Sequence, residues 1–195
     1  MKNFAYEDDS KQPRYELIGG EAVMLAAPNV NHSIVSGNIY AIFRGFLRGK
    51  RCLAFGDNTK VYLSERNHFI PDAMIVCNRK IVKRNGIYGA PDLVAEVLSP
   101  RTAKFDRGLK KEAYAKAGVR EYWIVDTVTK SVEVYYLREK NFRLDNVYHI
   151  YSPDEWKELS YAEKAQETLS VKVSLYDDFI VDLREIFDNV MNWQV

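Results

Sequence analysis

The sequence predicts an α/β or α+β layer fold, with a mixed central sheet flanked by helices. Two observations carry this. Residues 72–76 and 93–98 are short and almost wholly apolar, the pattern of strands buried on both faces. Segments of helical spacing stand before and after them, so the order reads helix, strands, helix, strands.

Taken in order, residues 15–18 and 21–25 read as a hairpin, because Gly19-Gly20 supplies the positive φ of a tight turn. Pro28 and Asn29 break the chain. From Asn31 the apolar residues Val35, Ile39, Ile42, Phe43 and Phe46 recur at helical spacing, so a helix is expected to about Arg48, ended by Gly49. Residues 52–55 and 60–63 read as short strands. Between the two central strands lies a basic connection containing Asn85-Gly86 and Gly89. A second helix is expected over 103–117, with Thr102 as N-cap and Gly118 beyond its end. Residues 122–125 read as a strand, 132–137 and 142–148 as a hairpin, and 183–187 as a short helix.

The 195 residues suit one domain spanning 1–195, with a C-terminal extension from about 150 whose pattern is weak. No apolar run approaches the roughly 18 residues of a membrane span, and residues 2–10 are too polar for a signal peptide, so a cytoplasmic location is expected. Cys52 and Cys77 lack the spacing of a metal site or disulfide framework and read as two buried thiols. Net charge is only +1, which argues against a uniformly basic nucleic-acid binder. Acids concentrate after Ser152, however, leaving basic clusters such as Arg44, Arg48, Lys50 and Arg51, or Arg101, Lys104, Arg107 and Lys110. Such clusters make either a phosphate-binding face or ordinary solvated surface.

Glu96 stands in the middle of an apolar strand, where a carboxylate needs a partner. Two Pro-Asp pairs, Pro71-Asp72 and Pro91-Asp92, open the central strands. Asp92 is four residues from Glu96 on one strand, about 13 Å away, too far to share an ion. Asp72 comes from the other strand and converges on Glu96 if the two strands pair, since neighbouring strands lie about 4.8 Å apart. On the second helix Phe105, Leu109, Ala113 and Ala117 form the expected apolar stripe, with Lys110 beside it. Lys110 either reaches a site along its aliphatic stem or makes a surface pair with Asp106.

The run from Gly89 to Ala103, Gly-Ala-Pro-Asp-Leu-Val-Ala-Glu-Val-Leu-Ser-Pro-Arg-Thr-Ala, resembles the Uma2 family, a bacterial group assigned to restriction endonuclease-like proteins. So do Asp106-Arg107-Gly108-Leu109-Lys110 with Tyr114, the run from Gly118 to Asp126, and upstream Arg14 to Glu21, His32 and Pro71-Asp72. The resemblance covers roughly Arg14 to Leu137, with a weaker tail to about Phe187. It implies a PD-(D/E)XK nuclease core and a metal-dependent endonuclease acting on DNA, duplex or single-stranded. Asp72 and Glu96 would hold Mg²⁺ or Mn²⁺ with the Val97 carbonyl, and Glu21 is a candidate for a further metal contact. Leu98 stands where the usual pattern has lysine, which nominates Lys110, on the next helix, as the catalytic lysine. A homodimer would suit a two-strand cut. Three other readings stand beside this one: a catalytically silent nuclease fold that binds nucleic acid or a protein, a metal hydrolase with another substrate, and a Glu96 that is a structural acid paired with Lys110.

Overall fold

The computed structural model describes residues 14–191; the polar stretch 2–10 lies outside them. The chain opens with the hairpin β1 (Tyr15–Ile18) and β2 (Glu21–Met24), followed by α1 (Val30–Phe46). Gly19 and Gly20 take φ of 65° and 95° at the turn, and Asn29 caps α1 by accepting from the His32 amide. Next come β3 (Leu53–Gly56), β4 (Val61–Ser64), β5 (Asn67–Phe69), β6 (Ala73–Val76), β7 (Val82–Lys83), β8 (Gly86–Tyr88) and β9 (Leu93–Val97). Two helical pieces, α2 (Ala103–Arg107) and α3 (Leu109–Ala117), lead to β10 (Glu121–Asp126), β11 (Ser131–Arg138) and β12 (Asn141–His149). The tail holds α4 (Pro153–Glu158), α5 (Tyr161–Lys164), the ribbon β13 (Ser170–Lys172) and β14 (Ile180–Asp182), and α6 (Leu183–Ile186).

The expected central sheet is present, in the order β12-β11-β10-β9-β6-β3. It is mixed: β9 pairs with β10 in parallel and with β6 antiparallel. Strand alternation splits the core in two. Ala73, Ile75, Leu93, Ala95, Trp123 and Val125 face α1 and the C-terminal segment, where Val35, Ile39, Phe43, Phe179 and Leu183 meet them. Met74, Val76, Val94, Tyr122 and Ile124 face the other way, toward α3 and a second sheet. That sheet, in the order β2-β1-β5-β4-β8-β7, is an addition to the expected architecture. Its strands β5, β7 and β8 are two or three residues long, too short to show a hydrophobic period in the sequence.

Three expectations are corrected. Cys52 and Cys77 are not two thiols but one disulfide. β3 runs antiparallel to β6 with Leu53 opposite Val76, so one step further the two cysteines face each other, their Cα atoms 4.0 Å apart. The expected 103–117 helix is broken at Gly108, where a Cβ would stand 2.9 Å from the Lys104 carbonyl. Thr102 makes no side-chain cap; its amide instead donates to Ser99 Oγ. Gly118 does close α3 in the left-handed region, with φ of 97°. Among the described residues no helix is long and apolar enough to cross a membrane.

Candidate active site at the β6–β9 junction

The register Ala73 opposite Ala95 places Asp72 beside Glu96 on the neighbouring strand. The convergence expected from strand spacing therefore exists. Asp72 Oδ2 accepts the Val97 amide at 2.7 Å, and Oδ1 lies 3.4 Å from His32 Nε2, brought in by the first turn of α1. Burial pushes the His32 imidazole down, but its bond to Asp72 and the charges of Asp72 and Asp57 push it up, and the net direction is up.

Glu96 is buried, and its Oε1 lies 2.9 Å from Lys110 Nζ and accepts the Tyr114 hydroxyl at 2.8 Å. Lys110 is equally buried. Its Nζ also donates to Glu16 Oε1 at 3.2 Å and lies 3.1 Å from Asp106 Oδ1. One ammonium thus sits among three carboxylates. Burial alone would lower the Lys110 pKa; Glu96, Asp106 and Glu16 outweigh it and hold the pKa well above the usual lysine value. Burial raises the Glu96 carboxyl well above its usual range; Lys110 opposes this, while Asp106, Asp72 and Glu16 add to it.

The predicted helix stripe holds only in part, with Phe105 and Ala113 packed on the core and Leu109 and Ala117 exposed. Leu109 is 54 % exposed, whereas Asp106, Lys110 and Tyr114 are buried. Spaced four apart, those three lie on one side of the helical segment, and the side that faces the sheets carries a charge network beside the partly buried Phe105 and Ala113. The Asp106–Lys110 pair is a buried contact, not the surface pair the sequence allowed.

A cavity of about 300 Å³ opens over these groups, lined by Glu16, His32, Asp72, Glu96, Val97, Asp106 and Lys110. Its rim includes Arg14, Asp57 and Arg101, with Arg14 and Asp57 ion-paired. Of the residues singled out from the sequence, Asp72, Glu96, Val97 and Lys110 are brought together here. Glu21 is not: it is exposed at the turn end of the edge strand β2, and the cavity lies at the opposite end of that hairpin, near Val23 and Met24. The acid the hairpin does deliver is Glu16, which was overlooked. Its signal was available, since Glu16 shares a strand face with the inward Ile18. Glu16 Oε1 also accepts the Ile70 amide at 2.7 Å, fixing β1 against the segment that enters β6.

As a metal site the donor set is sparse. Among the described residues no group of three or more His, Cys, Asp and Glu side chains is disposed to hold an ion. Two carboxylates and a carbonyl are nevertheless hard oxygen donors of the type Mg²⁺ accepts when waters and phosphate oxygens complete its shell. The hydrogen bonds and ion pairs of Glu96 among the described residues fall on Oε1, so Oε2 is the oxygen that suits an ion.

Comparison with known proteins identifies the family and the fold of the chain. A family model described as "Uma2: Putative restriction endonuclease" matches residues 3–175. Uncharacterized protein slr1290 of Synechocystis is 27% identical over 177 residues, covering 90% of this chain and 85% of that one. Uncharacterized protein sll1609 of the same organism is 24% identical over 136 residues, covering 68% and 77%. The crystal structure of "a putative nuclease belonging to DUF820 from Anabaena variabilis" matches with a TM-score of 0.68 at 19% identity, over 90% of each chain. At that identity the likeness is one of fold, and it supports the restriction-endonuclease-like architecture of helices on a mixed sheet. With the family model covering most of its length, this chain belongs to the Uma2 family.

Proposed function

We propose that the chain is a metal-dependent nuclease that hydrolyses phosphodiester bonds of DNA in the cavity over Asp72 and Glu96. The observation that carries this reading is the meeting of Asp72 and Glu96 on paired strands, with the Lys110 ammonium 2.9 Å from Glu96. Asp72, Glu96 and the Val97 carbonyl would hold Mg²⁺ or Mn²⁺. The ion would supply a bound water of lowered pKa and neutralise charge on the phosphodiester. The protein groups do the rest. His32 and the Val97 amide fix the Asp72 carboxylate in place. Tyr114 orients Glu96. Lys110, kept protonated by its three carboxylates, acts as a fixed cation beside the reacting phosphate and not as a base. Arg101 in the lining offers positive charge to the flanking phosphates.

One observation favours a second reading, a catalytically silent member of the fold. Lys110 already neutralises Glu96, so the acid has a structural partner without any ion. Supercoiled plasmid incubated with Mn²⁺, beside thermal unfolding with and without Mn²⁺, separates the two. Nicking and Mn²⁺ stabilisation by wild type, both lost in Glu96→Gln, support the nuclease. Stabilisation without nicking of any plasmid contradicts DNA as substrate. Indifference to Mn²⁺ in both assays sinks the metal-dependent reading and leaves the silent one.

A further inference from the structure

The second sheet has a buried face and an outer face, and the outer one is paved with rings. In its register Leu17 lies opposite His68, His68 opposite Tyr62, and Tyr62 opposite Tyr88. Cross-strand partners project from the same face, so these four form one row. The adjacent row, Phe69, Val61 and Ile87, points inward and is buried in the core. The outer rings are therefore not core packing. Tyr62 and Tyr88 stack at 4.6 Å with 19° between planes, and Tyr88 remains 44% exposed. His68 stands edge-on to both Tyr62 and Tyr15, at 5.5 Å from each.

Two lysines border the rings. Lys60, on the Tyr62 side of its strand, holds Nζ 5.1 Å over the Tyr15 ring. Lys83 lies opposite Gly86, whose missing side chain would have pointed to the same face. A Cβ at Gly86 would stand 2.6 Å from the Lys60 carbonyl and 2.9 Å from Tyr62 Cε2, so glycine there leaves room for both the neighbouring strand and the Tyr62 ring. Flat rings interleaved with cations are the composition that stacks unpaired bases and tracks a phosphate backbone.

We propose that this face binds single-stranded nucleic acid, with a base stacked on the exposed Tyr88 ring and phosphates on Lys60 and Lys83. The binding stands apart from the nuclease reading.

The test is fluorescence anisotropy of a labelled oligothymidine in EDTA, so that binding is read without cleavage. Wild type is expected to bind the oligothymidine more tightly than a duplex of equal length. Tyr88→Ala should weaken binding about fivefold or more, with Tyr88→Phe restoring it. The Lys60→Ala/Lys83→Ala pair should lower the slope of log affinity against log salt by about 1.4, the share of two single-strand phosphates. Absence of binding by wild type overturns the proposal, as does unchanged affinity in Tyr88→Ala. So does a Tyr88→Ala variant that changes the sedimenting mass without changing affinity, because the face would then join copies of the chain. If wild type binds through these rings yet nicks no DNA, the nuclease reading fails and the binding face stands.

Discussion

The two Pro-Asp pairs sit at opposite ends of one strand pair and make the same backbone contact. Asp72 Oδ2 accepts the Val97 amide of β9 at 2.7 Å, and Asp92 Oδ2 accepts the Cys77 amide beyond β6 at 2.6 Å. Each carboxylate thus satisfies an amide at the point where a proline begins the neighbouring strand and the ladder stops. The difference lies in the surroundings. Asp72 is beside Glu96, with Lys110, Glu16 and Asp106 beneath a cavity. Asp92 is beside apolar Ile75 and Val76, and its other oxygen is held by Arg120 at the surface. A motif that looks the same twice in the sequence is a strand-end device in both places; only the Asp72 copy opens onto the cavity that Glu96 and Lys110 also line.

The contrast is sharpest in what each cation supports. Lys110→Met would leave Glu96, Glu16 and Asp106 buried around no charge, and is expected to cost about 3–5 kcal/mol in denaturant unfolding. A Lys110→Met/Glu16→Gln double variant should recover part of that loss, because one uncompensated carboxylate is gone; no recovery would break the network account. At the Asp92 end the buried acid is Glu121, which has neutral partners: Trp123 Nε1, and the Ser174 amide and hydroxyl. Burial raises its pKa, only partly opposed by those bonds. A folded-state pKa above the unfolded one contributes stability fully present below the unfolded value and lost as pH rises through the folded value. Thermal unfolding followed upward from the ordinary carboxylate range should therefore show that loss in wild type and a flatter profile in Glu121→Gln. The smallest effect is expected at Arg120, 58% exposed. Arg120→Met should cost about 0–1 kcal/mol, and a loss as large as that of Lys110→Met would erase the distinction between the two ends.

Much of this was legible in the sequence, and for identifiable reasons. The central strands announced themselves by continuous apolar character, and Asp72 followed from Glu96 through strand spacing alone. Gly19-Gly20 and Gly118 marked conformations that only a few residues adopt readily. Lys110 could be chosen over a surface pair only through the family resemblance, because its burial depends on a charge network spread over three elements. Glu16, Asp106 and Lys110 meet because β1 closes over α3, and Glu16 and Lys110 are 94 positions apart in the chain. No local period encodes that meeting, and of the expected apolar stripe Leu109 is exposed while Phe105 and Ala113 pack on the core. The Cys52–Cys77 bond was illegible for the same reason: it requires the β3–β6 register, not a spacing.

The most direct measurement is plasmid nicking with Mn²⁺ by Asp72→Asn and Asp92→Asn, each compared with wild type at equal folded concentration. The account predicts that Asp72→Asn loses more activity than the roughly 100-fold that an outer partner of a metal site typically costs, while Asp92→Asn nicks as wild type does and is only less stable. Equal losses in both, or full activity in Asp72→Asn, would contradict the placement of the chemistry at the Asp72–Glu96 end.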